Sequence, residues 1–432
     1  MSSVAHSAAG YASLASDPVA ARDTEPLRVL HVITRMIVGG AQENTMLSCA
    51  LIDPDLFPST LLTGPETGVE GELHAESLAR GVSLIVEPSL VRRLSPWHDL
   101  VAIARLWRAM RTGRYDVVHT HSSKAGILGR IAASLAGVPV IVHTVHGWGF
   151  NDHQPWHLYW LYVFLERVCA RFSSAIVVVG APNREKGLAL GIGRRDQYRL
   201  IRSGIEVQSF RDVAVSRDGA RRKLGLPLES FVIGSVGRLE EQKAPLDLLA
   251  AFVPVAARHP EARLVYVGDG PKRGELEAAI VRAGLADRVH LTGLRRDVPE
   301  LMRAFDAFAL ASLWEGLPRV FPQAMAAGLP IVATRVDGAP DAITPGENGW
   351  LVDVGDTAAM AERLCALAAD PAAARRMGAA GRARVEEFSA PRMVQSLAEL
   401  YAKLAAEGRT REIRHPGGVD RRPALRARSG RP

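Results

Sequence analysis

The chain has 432 residues, 47% of them hydrophobic and 23% charged, with a formal net charge of +7. That length admits two or three domains with cores of their own, and the composition excludes a disordered chain. No apolar run approaches the roughly 18 residues that span a bilayer, which excludes a membrane-spanning helix.

The location of the charge matters more than its sum. From Gly408 to Pro432, eight arginines stand against only Glu412 and Asp420. The basic character therefore belongs to an appendage, and the body is nearly neutral, so a nucleic-acid partner is not expected. This tail, residues 408–432, lacks apolar periodicity and is expected to be disordered. It is either solvated without a partner or drawn to anionic lipid heads, at about 1 kcal/mol per basic residue. Residues 1–26 are rich in Ala and Ser without a continuous apolar stretch, and read as a disordered leader, not a signal peptide. Cys49, Cys169 and Cys365 are far apart and show no metal-ligand spacing, which fits a reducing, cytoplasmic compartment.

Along the chain, short runs rich in Val and Ile predict strands at Leu27–Ile33, Thr60–Leu62, Ser83–Val86, Val117–Thr120, Val138–Val145 and Ala175–Val179. Helical segments fall between them at Ala41–Leu51, Val69–Arg80, His98–Arg111, Lys124–Leu135 and Pro155–Arg171. The pattern pauses around Arg202–Arg211 and begins again. Strands follow at Phe231–Val236, Arg263–Val267, Val289–Thr292, Ala307–Ala311, Pro330–Thr334 and Trp350–Val352. Their helices are Leu246–Arg258, Lys272–Ala283, Val298–Phe305, Val320–Ala327 and Thr357–Ala369, with two more near Ala372–Glu386 and Pro391–Ala406. Alternation of this kind implies parallel sheets covered on both faces. The chain is thus α/β, with two doubly wound units that divide near residue 207 and face each other across a cleft lined by strand-to-helix loops.

Residues with chemical potential fall in those loops. Gly39-Gly40 stands at a strand-to-helix junction, where backbone N–H groups can approach an anion, although glycines there also simply make turns. No G-x-G-x-x-G occurs, which counts against a dinucleotide dehydrogenase. Arg238 ends one strand and Lys243 opens the next helix, so the two cations can clamp a diphosphate. Glu315 lies at another strand end, ahead of a helix N-terminus that offers free N–H groups. Asp53-Pro54-Asp55 has the spacing of a metal site but lies away from the cleft, and no metal is expected.

The run Ser312–Thr334, SLWEGLPRVFPQAMAAGLPIVAT, resembles the donor-site signature of glycosyltransferase family 4, whose pattern is E-x7-E. The likeness extends over residues 27–405 and includes Gly39-Gly40, His146 within HTVHGW, Arg238 with Lys243, and Gly268-Asp269-Gly270-Pro271. The HTVHGWGF and EGLPRV segments resemble enzymes that build capsular or exopolysaccharide repeat units. The resemblance implies a GT-B fold of two Rossmann-like domains. The domains would be 27–206 on the acceptor side and 207–388 on the nucleotide-sugar side, with a C-terminal helix, 389–407, packing back on the first.

The resemblance also implies a retaining hexosyltransferase that uses a nucleotide-sugar donor, UDP-linked, with a lipid-linked saccharide as acceptor. No metal or other cofactor is expected, because Arg238, Lys243 and helix N-termini can meet the charge of the leaving group, and the basic tail and aromatic segment leave peripheral contact with the cytoplasmic face of the inner membrane open as an alternative. Arg238 and Lys243 would neutralise the leaving diphosphate, and Glu315 would hold sugar hydroxyls. Gly316 and Leu317 would offer backbone donors, and His146 would sit beside the anomeric centre. Gly39 and Gly40 would close over the phosphate from the first domain, with Gly268 and Arg295 bordering the nucleotide. One position departs: the second acid of the pattern is Gln323. An amide accepts from one ribose hydroxyl and must donate to the other, where a carboxylate accepts from both.

His121 and Trp148 are candidate acceptor contacts, a structural role being the alternative for His121. Aromatic residues crowd Pro155–Arg171, either as domain packing or as a surface for a membrane-held acceptor. Two other readings stay open: a GT-B nucleotide-sugar epimerase, and a non-catalytic nucleotide-sugar-binding partner in a polysaccharide assembly complex, which Gln323 and the basic tail favour.

Overall fold

The computed structural model describes residues 25–65, 71–150 and 154–414. The first sheet contains β1 Val29–Ile33, β2 Ser59–Thr63, β3 Ser83–Val86, β4 Val117–His121, β5 Val140–Val145, β6 Ala175–Val178 and β7 Tyr198–Leu200. Its order is β3-β2-β1-β4-β5-β6-β7. The second contains β8 Val232–Val236, β9 Arg263–Val267, β10 Val289–Leu291, β11 Ala307–Leu310, β12 Ile331–Thr334 and β13 Gly349–Val352, in the order β10-β9-β8-β11-β12-β13. Neighbouring strands in both sheets pair in parallel. β1, β4, β5, β8 and β11 are buried at every residue, as central strands covered by helices on both faces must be.

Several elements differ from the sequence reading. β7 and the helix Ala181–Ala189 were not expected, because the strand is only three residues long and the helix buries only Asn183 and Gly187. The helix expected at Val69–Arg80 spans His74–Ala79. Its start is displaced because Glu72 bridges Ile37 and Leu73 N–H donates to the Met36 carbonyl at 2.8 Å. The last helix, Ala390–Arg414, runs through Gly408 and takes in the first residues assigned to the disordered tail. Extending an existing helix adds one hydrogen bond per residue fixed and needs no new nucleus. Residues 1–24 of the leader and 415–432 of the tail lie outside the described residues.

That final helix leaves the second domain and packs on the first. Met393, Val394, Leu397, Leu400, Tyr401 and Leu404 complete a core with Val29, Leu47, Val117 and Val142.

Arg130 and Glu166 join two neighbouring helices, Ser123–Ala136 and Trp156–Ala170, through a 2.7 Å ion pair whose side chains are 0% and 5% exposed. The Arg130 Nε also donates to the Gly126 carbonyl at 2.7 Å. Replacing Glu166 by Leu leaves a buried guanidinium without its counter-charge. The expected loss is about 3–5 kcal/mol. Urea unfolding measures it, and the Arg130→Met/Glu166→Leu double variant should recover most of the loss.

Candidate active site

Strand order reverses beside β1 and β4 in the first sheet, and beside β8 and β11 in the second. At such a point successive connections leave on opposite faces, so the exit loops part and open a crevice at the strands' carboxyl ends. The exit loops of both sheets meet there. Gly316 lies so close to the His146 carbonyl that a Cβ would collide with it. Arg319, 7% exposed, donates to the Gly204 carbonyl at 3.0 Å, reaches the Gly40 carbonyl at 3.5 Å and pairs with Glu43. Asp341 accepts from Ala181 N–H at 2.8 Å.

On the second domain, the loops after β8 and β11 are stitched together. Leu313 N–H donates to the Gln242 carbonyl at 2.8 Å, and the Gln242 amide donates to the Trp314 carbonyl at 2.9 Å. Lys243 pairs with the Glu315 carboxylate, whose side chain is 8% exposed. Ser312 Oγ donates to the same carboxylate at 2.7 Å. The Lys243 chain lies along Gly237, next to Arg238, which pairs with Glu240 at 3.1 Å. Gly268 must be glycine: its φ is +143° and a Cβ would strike the Gly237 carbonyl. Arg238, Lys243, Gly268, Glu315, Gly316 and Leu317 therefore belong to one loop cluster.

Backbone strain gathers in the same loops. Ser122, Ala244 and Asp337 have positive φ, at 60°, 42° and 27°. Each ends or opens a strand-to-helix connection at the cleft, where strain is commonly stored. Asp337 accepts from Glu315 N–H at 2.9 Å, which holds the loop.

From the first domain come Gly39 and Gly40, at the start of helix Gly40–Ala50 and against Arg319, together with His146. His146 is partly buried, and its Nε2 lies 3.1 Å from His121 Nδ1. Burial, then the nearby Arg319 charge, lowers its pKa to about 3, so the ring is neutral at physiological pH.

One acceptor assignment, His121, is corrected. His121 is fully buried, and both its ring nitrogens are taken, by His31 at 3.0 Å and by His146. Trp148 donates Nε1–H to the Asn183 carbonyl at 2.9 Å, stacks on Phe150 and packs into the first domain's core. His121 was placed by nearness to a strand end, but it turns inward. Arg295 is committed to Asp297 through bonds of 2.8 and 2.6 Å, which hold that carboxyl well below the usual range. Gln323 sits half-buried on helix Val320–Ala327.

Asp53, of the Asp-x-Asp run, caps a turn by accepting from Asp55 N–H at 2.9 Å. The imidazoles of His31, His119 and His121 bring ligand atoms within 4.8 Å of one another. His31 Nδ1 and both ring nitrogens of His119 and His121 are taken by hydrogen bonds, with Tyr401, Thr144 and His146 among the partners, which leaves His31 Nε2 alone without one among the ring nitrogens of these three.

Arg319, Ser312 and Asp337 carry the site's geometry and escaped sequence reasoning. Arg319 was visible only as one more residue of the EGLPRV loop. Its partner Glu43 is 276 positions away in the chain, beyond the reach of any spacing argument.

Comparison with known proteins agrees with this architecture. Residues 39–204 match the glycosyl transferase 4-like domain, and residues 230–370 match glycosyl transferases group 1. A UDP-Gal:alpha-D-GlcNAc-diphosphoundecaprenol alpha-1,3-galactosyltransferase of Escherichia coli is 31% identical over 76% of this chain and 85% of its own length. A D-inositol 3-phosphate glycosyltransferase of Xylanimonas cellulosilytica is 32% identical over 67% of this chain and 72% of its own. The Anabaena Alr3699/HepE structure, in complex with UDP and glucose, superposes with a TM-score of 0.75 at 23% identity, over 87% of this chain and 99% of that one. With two parallel-sheet domains meeting at their switch points and both family patterns in place, the chain belongs to the group 1, family 4-type glycosyltransferases of GT-B fold.

Proposed function

We propose that this glycosyltransferase moves a hexose from a UDP-sugar to a lipid-linked saccharide, with retention at the anomeric carbon and without a divalent metal, in cell-surface polysaccharide assembly. The observation that carries the proposal is the Lys243–Glu315 pair, held by Ser312 and Gln242 on the loop that meets neutral His146.

Departure of a nucleoside diphosphate builds negative charge on its oxygens. Arg238 and Lys243 supply the opposite charge in a site partly closed to water, where it counts for more than in bulk. Diphosphate displaces Glu315 from Lys243, and the freed carboxylate oxygen accepts from a sugar hydroxyl. Gly316 and Leu317 offer backbone N–H groups, and the first turn of helix Gly40–Ala50 faces the phosphate with its dipole. His146 borders the anomeric centre. Arg295 stands near the base, and Gln323 meets the ribose, at a cost of about 1 kcal/mol relative to a carboxylate. The leaving phosphate oxygen takes the acceptor's proton on the same face of the sugar.

The acceptor's lipid would sit against an exposed aromatic face of the first domain. Helices Pro96–Gly113 and Trp156–Ala170 flank Ser123–Ala136 and expose Trp97, Trp156, Phe164 and Trp160 by 73, 76, 60 and 49%. Arg92, Arg93, Arg105 and Arg108 are exposed nearby. An aromatic face beside arginines suits an anionic bilayer at the cytoplasmic side. The Trp156→Ser/Trp160→Ser variant is expected to bind anionic vesicles about a hundredfold more weakly or worse, at roughly 1.5 kcal/mol or more per lost side chain. Cosedimentation measures this, and binding equal to wild type removes the membrane surface.

The function is tested with purified full chain, a panel of labelled UDP-sugars, lipid-linked saccharide acceptors and excess EDTA. The expected result is transfer with an axial or equatorial anomeric bond matching the donor's. Donor binding without turnover would favour the non-catalytic reading. Inversion would overturn the retaining one, and loss with EDTA that added metal restores would overturn metal independence.

A further inference from the structure

Three imidazoles form an unbroken line from the middle of the first sheet to the interdomain cleft. His31 Nδ1 on β1 lies 3.0 Å from His121 Nε2 on β4, and His121 Nδ1 lies 3.1 Å from His146 Nε2. Ring centroids are 5.3 Å apart at both steps, with interplanar angles of 15° and 26°. His31 and His121 are fully buried and the transfer reaction described above gives them no task.

Protons on this line are constrained. Burial lowers the pKa of His31 and His146 to about 3 and that of His121 well below the usual value, so each ring carries one N–H at neutral pH. Each nitrogen-to-nitrogen contact needs one proton, and His121 can supply only one. Two arrangements remain: every N–H points toward the cleft, or every N–H points inward. Among the described residues His31 Nε2 has no hydrogen-bond partner. The inward arrangement puts an N–H on that atom, a buried donor with no acceptor. The outward arrangement leaves it a bare ring nitrogen, the milder of the two defects because orphaned buried N–H groups are the rarer.

We propose that His31 and His121 are positioning residues that hold His146 as its Nδ1–H tautomer, so that its ring meets the cleft as a hydrogen-bond donor. The matching chemistry in the substrate is an acceptor oxygen on the transferred sugar. This rests on His146 meeting the donor sugar, as set out under the proposed function. The order along the line also explains why two fully buried imidazoles share one face of adjacent central strands, His121 lying two residues beyond the register partner of His31, where apolar residues would pack without hydrogen bonds.

The test is long-range 1H–15N correlation of the full chain labelled with 15N-histidine, at neutral pH and without donor, with His146 assigned by its loss in His146→Gln. The expected spectrum shows His146 protonated on Nδ1. In His31→Leu and in His121→Leu the tautomers mix. His31→Asn, whose side-chain nitrogen can donate from the place of Nδ1, restores the Nδ1–H form. Transfer should follow: kcat falls about tenfold in His31→Leu with KM little changed, and recovers in His31→Asn. His146 protonated on Nε2 in the wild-type chain overturns the proposal, as does a tautomer unchanged in both Leu variants. So does one equivalent of divalent metal carried on these nitrogens in the purified chain. Because the spectra are taken without donor, their failure leaves the sugar contact of His146 standing. Undiminished transfer in His146→Ala would sink that contact alone.

Discussion

Glu315→Ala is expected to lower kcat by about a hundredfold or more, the scale seen when a preorganised polar contact to the transition state is removed. The carboxylate is nearly buried and touches Lys243, Ser312 and Gln242. Its removal leaves the ammonium of Lys243 without its partner and, under the mechanism proposed above, the sugar hydroxyls without an acceptor. Lys243→Met should act differently, weakening donor binding and the departure of diphosphate together. Because the two groups touch, their effects should not add: the double variant should lose less than the product of the single losses. Thermal unfolding of each variant, followed beside the kinetics, separates lost chemistry from lost fold. A Glu315→Ala chain with near wild-type kcat would remove the carboxylate from the mechanism.

Acid lability is the second large effect. His31, His119, His121, His143 and His146 all have pKa values lowered in the fold. Burial is the first cause in each. It is joined by Arg130 at His143, Arg319 at His146, and neighbouring imidazoles at His119 and His121. Above about pH 6.5 these rings are neutral in both folded and unfolded chains, and they make stability independent of pH. As pH falls below that value the unfolded chain takes up protons that the folded chain refuses, so stability declines. Each ring contributes up to about 1.4 kcal/mol per pH unit, so five together approach roughly 6–7 kcal/mol per unit. Domain stabilities of about 5–15 kcal/mol are consumed within one to two and a half units. Unfolding of the first domain is therefore expected between about pH 6 and 4, followed by circular dichroism. His143→Gln should reduce the proton uptake on unfolding by about one. Stability that stays flat from neutral pH to about pH 4.5 would show that these rings accept protons while folded.

Local periodicity made the architecture legible. Runs of Val and Ile separated by helix-length segments, with a pause near residue 207, are enough to read two doubly wound units. Because such sheets place their loops at strand ends, Arg238, Lys243 and Glu315 could be singled out from the sequence, while Gly316 and His146 came from the family resemblance. Side-chain direction and long-range partners lay beyond that reasoning. His121 sits at a strand end yet turns inward, since one residue of register decides which face a side chain takes. The Arg319–Glu43 pair, the His31–His121 contact and the return of helix Ala390–Arg414 link positions far apart in the chain. Spacing along the chain reports which residues share a local face. Which strands become neighbours, and so which side chains can exchange a proton or a charge across them, is settled only when the sheets close.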